Sequence, residues 1–286
     1  MIVGLVAIGT AYRLGEERSS DDVNGRGSRY RNFTRYRDLV LGLALRDVKV
    51  RYQLSVLGLY WAVLNPLLMA LIWSFVFARI FHAKGMEGVP YVVFLFCGLT
   101  FWNLFANSLM TATNSLTGNA SLLSKLYFPR IILPTASVLA RLVDFGFSLI
   151  VLAIFMAAYH VRPGPYIGWL PLLLLIELVF TLGMAYLVAS LNVLYRDVNQ
   201  MVGVVLLLWM YLSPVFYLAD QIPAKIRKYF LLNAVGELVG MQSGLVLGGP
   251  MFSFHVLGMV ALISLGVLVL GLIVFNRLEP LFAEVM

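Results

Sequence analysis

Long apolar runs broken by short polar segments set the pattern of this chain. Six runs stand out, at about 57–81, 91–116, 131–159, 166–194, 201–218 and 252–275. Each is close to or beyond the ~20 residues a helix needs to cross hydrocarbon, so the pattern predicts six transmembrane helices. Pro66, inside the first run, frees a backbone carbonyl and permits a bend that neighbouring helices tolerate. Ahead of the runs, residues 36–53 follow a different rule. Leu41, Leu45, Val48 and Tyr52 recur at helical spacing with Val40 and Ala44 beside them, while Arg46, Lys49 and Gln53 fall on another face. That predicts an amphipathic helix lying along the membrane interface; the plainer reading is a helix packed on other protein.

Between the fifth and sixth runs, residues 226–249 (IRKYFLLNAVGELVGMQSGLVLGG) are apolar but interrupted by Asn233, Gly236, Glu237, Gly240 and Gly244. The stretch is too broken for a span and predicts a short re-entrant helical hairpin in the outer leaflet, covered by protein or by a water-filled cavity. Residues 1–12 are apolar but too short to cross, and 13–31 are polar with Gly and Ser. The expected organisation is a flexible extension over 1–30, a cytoplasmic amphipathic interface helix over 31–56, and a six-span transmembrane domain over 57–286 with a cytoplasmic C-terminus. The expected class is an all-α membrane protein. No internal repeat is visible, so an inverted-repeat transporter has no support.

Composition agrees with lipid as the solvent. The chain is 61% hydrophobic and 12% charged, where a soluble domain carries about a quarter charged residues. Ten of the 21 Lys and Arg residues precede residue 52, Arg13 through Arg51. Such a cluster holds its side of the first span in the cytoplasm, and an even number of spans returns the C-terminus there. Residues 82–90, 160–165 and 219–251 would then face outward, and 117–130 and 195–200 inward. Lys125, Arg130 and Arg196 agree with that sorting, whereas Lys84, Arg162, Lys225, Arg227 and Lys228 run against it. A basic arm on so apolar a chain points to anionic lipid headgroups rather than to nucleic acid. The single cysteine, Cys97, has no intrachain partner. The chain carries no zinc-ligand spacing, and His82, His160 and His255 are scattered at span ends, so no metal site is expected.

No phosphate-binding loop of the form G-x-x-x-x-G-K-[ST] occurs, nor H-E-x-x-H, nor G-x-S-x-G, so no enzyme site is advertised. Ionisable residues inside spans are the next place to look. Arg141 and Asp144 lie three apart on one helix face, and a structural ion pair is favoured there over a transport role. Glu177 is open between a proton relay, a pore residue and a protonated structural group. Tyr60, Trp61, Trp209 and Tyr211 at span ends read as interfacial belt residues or, with Glu237, as the lining of a channel in which rings stack on sugar faces. Two segments assigned inward are sharper. In GNASLLSKLYFPRIILP (118–134), either Asn119 or Ser121 can cap a helix start, and a short amphipathic stretch stops before Pro129. LYRDVNQ (194–200) puts Arg196 and Asp197 in a short turn. Both have the shape of knobs that dock a soluble partner, or of solvated turns.

Taken in order, several segments resemble the permease subunit of ABC-type polysaccharide exporters, which carry O-antigen, capsule and wall teichoic acid precursors. They are LALRDVKVRYQLSVLGLYWAVLNPLLMALIWSFVFARIF (43–81), LLSKLYFPRIILP (122–134), LNVLYRDV (191–198), LSPVFY (212–217) and NRLEPLFAEVM (276–286). In the first, Arg46, Asp47, Lys49, Arg51, Tyr52, Ser55, Leu57, Gly58, Trp61, Asn65 and Pro66 carry the likeness. One departure is Ala234, where the family usually has proline after the asparagine; another is the tail before Arg29.

The resemblance implies a homodimer of this chain with two copies of a separate ATP-hydrolysing subunit. ATP and magnesium would sit on that partner, with no cofactor on this chain. It implies a coupling helix over 119–130, with Asn119, Ser121, Leu122, Leu123, Lys125, Leu126, Tyr127 and Arg130 seated on the ATPase beside Arg196 and Asp197. The cargo it implies is a glycan or teichoic polymer on undecaprenyl diphosphate, moved outward across a bacterial plasma (inner) membrane. Arg46, Lys49 and Arg51 lie where such a headgroup would arrive. The readings from other classes are a membrane-embedded glycolipid acyltransferase or polymerase, restricted to Arg141, Asp144, Glu177 and Glu237, and an ion-coupled lipid flippase using Glu177.

Overall fold

The computed structural model describes residues 27–53, 60–80, 82, 85–125, 128–218, 221 and 232–282, without the side chains of 27–35, 62–63 and 124–125. Regular structure among these residues is helical throughout. The chain divides into two units, Met1–Leu39 and Val40–Met286. Helix α1 is Gly27–Tyr52, so helix begins within the stretch expected to be a flexible extension; residues 1–26 lie outside the described residues. In the first unit, Arg37 pairs with its neighbour Asp38 at 3.0 Å in open solvent, where such a pair contributes little.

In the second unit, α2 is Tyr60–Ser74 and continues as a π-helix, Phe75–Ile80. Then come α3 (Tyr91–Thr113), a short helix α4 (Ala120–Lys125), α5 (Ile132–Ala158), α6 (Leu170–Leu194), α7 (Val198–Tyr211), α8 (Ala234–Leu247) and α9 (Phe254–Leu278). Among the described residues, four helical stretches are long and apolar enough to cross a membrane: Tyr91–Thr113, Ile132–Ala158, Ile167–Leu194 and Phe254–Leu281. Three shorter apolar helices accompany them, Leu64–Ile80, Val198–Tyr211 and Ala234–Leu247. The protein is therefore an all-α, multi-pass membrane protein.

Helix α3 is its axis. Of its most apolar window 78% is buried, against 28% for α5 and 22% for α9, and it packs on α2, α5, α6, α7 and α8. Its large rings make these contacts: Phe96 meets Phe155 of α5, Phe101 meets Phe145, and Phe105 meets both Phe180 of α6 and Trp209 of α7, with centroids 5.3–5.8 Å apart. Outward, α7 and α9 show Val204, Leu207, Leu208, Leu262, Leu265 and Val269, an apolar face that lipid or a second protein surface must cover.

The loops sort into two ends of the bundle. At one end, Arg46 reaches Asn119 (2.8 Å), Asn192 reaches the Thr113 carbonyl (2.9 Å), and Arg130 reaches the Glu279 carbonyl (2.7 Å). At the other, the Gly164 amide donates to the Val246 carbonyl, Tyr91 donates to the Phe216 carbonyl, and Trp169 packs edge-on against Phe252 and Phe254.

Two local features depart from the sequence pattern. The fifth apolar run is helical only over Val198–Tyr211, and residues 212–217 turn back instead. Pro214 has no amide to continue the ladder, and the free Leu212 carbonyl is taken by Asn233 Nδ2 at 3.2 Å. The broken stretch before the last span contributes one described helix, α8; the start of the expected hairpin, 226–231, lies outside the described residues. Asn233 caps α8 by accepting from the Gly236 amide at 3.0 Å, so Ala234 opens a well-capped helix without the proline. Gly248, at φ +86°, closes it in the left-handed conformation that glycine adopts freely.

Candidate functional site

A cleft of about 510 Å³ opens between the end of α1, α2, α3 and α5. Polar residues repeat at helical spacing on two of its walls. Thr100, Asn103 and Asn107 form one stripe on α3, and Arg141, Asp144 and Ser148 another on α5. Trp61, Asn65, Pro66 and Met69 of α2 close the third side. Polar stripes of this kind inside apolar helices are expected to face a partner or a wet cavity rather than lipid.

The charged centre of the cleft is Asp144. Its Oδ2 accepts from Arg51 Nη1 at 2.5 Å and from Arg141 Nη1 at 3.0 Å, while its Oδ1 accepts from Tyr52 Oη at 2.6 Å. Arg141 also donates from Nε to Thr111 Oγ1 at 2.8 Å. Burial foremost, and then the hydrogen bond to Asp144, pushes Tyr52 up to about 12, so the phenol stays a neutral donor at physiological pH. Two guanidinium groups and one carboxylate leave the cluster with one net positive charge. The amides of Asn65, Asn103 and Asn107 line the same cleft without a hydrogen-bond partner among the described residues.

The three basic residues expected to meet a headgroup therefore separate. Arg51 enters the cleft. Arg46 instead pairs with Asp47 at 2.9 Å and donates to Asn119 Oδ1 at 2.8 Å, and Lys49 is exposed.

Around α4 the chain builds a second polar face. Asn114 donates to Asn199 (2.7 Å), and Asn192 Oδ1 accepts from the Asn199 amide (3.1 Å). These bonds bring 114–120 beside the turn at Arg196 and Asp197, around a second cleft of about 350 Å³. Asn119 Nδ2 donates to the Ser115 carbonyl, and its Oδ1 holds Arg46. Ser121, Arg196 and Asp197 are exposed, and Leu122 and Leu123 pack half-buried on the core. Arg130 is spent inside the chain, on the Glu279 carbonyl and over the Phe282 ring at 5.9 Å. The Lys125 side chain, Leu126 and Tyr127 lie outside the described residues.

The aromatic candidates divide as well. Tyr60 and Trp61 are exposed, with Trp61 in the first cleft. Trp209 turns into the bundle, where its Nε1 donates to Asn233 Oδ1 at 2.8 Å. Tyr211 stacks on Phe216 at 5.2 Å, and Glu237 sits half-buried in the first turn of α8. Glu177 of α6 is fully buried and accepts from Gln242 Nε2 of α8 at 2.8 Å. Among the described residues no group of three His, Cys, Asp or Glu side chains could hold a metal ion.

Sequence reasoning missed Tyr52, Thr111 and the asparagines of both clefts as site residues. The i, i+3, i+7 and i+11 spacing of Thr100, Asn103, Asn107 and Thr111 was the available signal, because four polar residues on one face of an apolar span break its pattern.

Residues 39–236 match the family model described as ABC-2 type transporter. The chain belongs to that family. It is 30% identical over 251 residues to the O-antigen export system permease protein RfbA of Klebsiella pneumoniae, covering 87% of this chain and 95% of that protein. To the Myxococcus xanthus protein of the same name it is 32% identical over 213 residues, 74% of this chain and 80% of the relative. The polysialic acid transport protein KpsM of Escherichia coli is 24% identical over 247 residues, 84% of this chain and 93% of that protein. As an ABC-2 permease homologous to polysaccharide-export permeases, this chain has a transport role rather than a catalytic one.

Proposed function

We propose that this chain is the membrane subunit of an ATP-driven exporter that moves an undecaprenyl-diphosphate-linked polymer from the cytoplasm to the cell exterior. The named relatives favour a polysaccharide of the O-antigen or capsule kind over a teichoic polymer. The observation that carries the reading is that α1 joins both polar features: Arg51 enters the first cleft, and Arg46, five residues earlier, holds Asn119 beside α4.

A lipid diphosphate cannot cross hydrocarbon unaided, because bare burial of its charge is very costly. A polar cleft opening into the bundle lowers that cost, and a face built around α4, Arg196 and Asp197 gives a separate hydrolase something to push on. In this reading the end of the bundle bearing Arg46, Asn119, Arg130 and Arg196 is cytoplasmic, in keeping with the positive-inside rule. Helices α2, α3, α5, α6, α7 and α9 make six crossings of the inner membrane, and α8 dips into the outer leaflet. Two copies of the chain, covering part of each other's apolar faces, work with two ATPase subunits that bind ATP and magnesium.

The test is co-expression with a candidate ABC ATPase, purification, and reconstitution into liposomes. The reading expects a stable assembly whose ATP hydrolysis rises with a lipid-linked glycan. A lone chain that turns over glycolipid, or no assembly with any ABC ATPase encoded beside it, contradicts it.

A further inference from the structure

We propose that Arg51 and Arg141 form a binding site for one phosphoryl group of the transported lipid's headgroup, occupied at rest by Asp144 as a resident counter-ion. This rests on the export reading and names its headgroup site. Both guanidinium groups converge on the same oxygen, Asp144 Oδ2. One carboxylate cannot neutralise two such groups, so the centre retains a positive charge in surroundings that screen it poorly. Arg51 donates to Asp144 from Nη1 alone, with its guanidinium carbon 5.9 Å from the centre of the Tyr52 ring. A phosphoryl group offers more oxygens than a carboxylate, spaced to take paired N–H donors from more than one arginine.

The cleft around the cluster supplies the second observation. A purely structural triad needs neither a cavity nor spare donors. Here about 510 Å³ of space adjoins it, lined by the unpartnered amides of Asn65, Asn103 and Asn107. The polar stripe from Thr111 to Thr100 climbs ~16 Å along α3 at 1.5 Å per residue, so groups beyond the phosphate meet hydrogen-bonding side chains well into the span.

The exchange has a mechanical consequence. When a phosphoryl group takes the two arginines, the tie between the end of α1 and α5 passes from the Arg51–Asp144 pair to the bound group, and Arg51 shifts to meet it. Arg46 on the same helix is bonded to Asn119. Arrival of the headgroup is thereby transmitted to the segment beside α4.

The test uses the full chain in lipid nanodiscs, with undecaprenyl diphosphate added to the bilayer in one arm and inorganic pyrophosphate to the solution in the other. Binding is read by native mass spectrometry. Asp144→Asn removes the competing charge and is expected to tighten binding about tenfold, whereas Arg51→Gln and Arg141→Gln each weaken it about tenfold, the scale of one charge-assisted hydrogen bond. A merely structural carboxylate predicts the opposite sign for Asp144→Asn, so binding that is unchanged or weaker in that variant overturns the proposal. If Asp144→Asn does not fold, Asp144→Ser, which also removes the competing charge but keeps a hydroxyl there, is expected to shift affinity in the same direction; no shift overturns the proposal.

Competition by pyrophosphate supports a site that reads phosphate itself. Lipid binding alone, lost in the arginine variants, supports one that the headgroup enters only from the bilayer. Binding of neither probe to the wild-type chain overturns the inference, and co-assembly with the ATPase would then leave the export reading standing. Tighter binding by Asp144→Asn without any ATPase partner would sink the export reading and keep the site.

Discussion

Gly183 of α6 and Gly271 of α9 face each other with no side chain between them, and the two backbones touch where the helices cross. A Cβ added at Gly183 would stand 2.6 Å from the Leu268 amide nitrogen, and one at Gly271 would press on the Gly183 carbonyl. Neither obstacle is the end of a flexible side chain, so the helices themselves must separate. Gly183→Ala and Gly271→Ala are expected to destabilise the protein by about 1–3 kcal/mol each. Gly266→Ala, on the same α9 but with nothing within 4 Å, is expected to be neutral or stabilising, because alanine is the better helix former. Thermal unfolding in detergent measures the difference, and equal effects at the three sites would contradict the close crossing.

Asn233 ties three parts of the chain together. Its Oδ1 accepts from Trp209 and from the Gly236 amide, while its Nδ2 donates to Leu212 and Ser213. Asn233→Ala removes a helix cap, worth about 1 kcal/mol, and leaves the Trp209 N–H without its partner, about 1–3 kcal/mol more. Asn233→Asp keeps both accepted bonds and loses only the donated ones, so it is expected to be milder. Hydrogen exchange over Ala234–Leu247 should rise strongly for the alanine variant and modestly for the aspartate.

Glu177 and Gln242 join α6 to α8 by one hydrogen bond, and Glu177 Oε1 and the Gln242 amide oxygen have no hydrogen-bond partner among the described residues. Glu177→Gln can supply a donor to the Gln242 oxygen and is expected to retain ATP-driven export. Glu177→Ala strands the Gln242 amide and is expected to cost about 1–3 kcal/mol. Export lost in Glu177→Gln, with folding intact, would favour the ion-coupled flippase instead.

Tyr52 carries a pH signature. Its folded value of about 12 lies above the ordinary 10.0. The contribution of a group raised in this way is therefore complete below pH ~10 and is lost as pH climbs through the folded value. The groups facing it are Arg51 and Asp144, with Arg141 behind them. The stability difference between wild type and Tyr52→Phe is thus expected to stay flat from about pH 6 to pH 9 and to shrink above that. A difference that changes near neutrality would mean that another group controls the contact.

How far the sequence could be followed depends on the kind of signal each element carries. Runs of apolar residues mark burial in lipid directly, and α3, α5, α6 and α9 begin and end within a few residues of the runs at 91–116, 131–159, 166–194 and 252–275. The run at 201–218 overshot because hydropathy does not register that Pro214 and Asn233 stop a helix. The pairing of Arg141 with Asp144 was legible since i, i+3 neighbours share a face by geometry alone. The Arg51 and Tyr52 contacts to Asp144 were not, because they join residues 93 and 92 apart in sequence, and no local period encodes a tertiary meeting. For the same reason Arg46 and Arg51 read as one basic patch although they serve different neighbours. Arg130, basic and near a loop, read as a docking residue; its carbonyl partner at Glu279 is invisible until the last helix is brought back to it.

If a separate hydrolase drives this chain, it acts through the face around α4. Ser121 is exposed on that face, and a photo-crosslinking amino acid placed there, in cells making the complete exporter, tests it most directly. A crosslink to the ABC ATPase is expected, with Ser121 shielded from a membrane-impermeant label added outside intact cells. Labelling of residue 121 from outside, or a fully assembled exporter in which that position never reaches the ATPase, would contradict it.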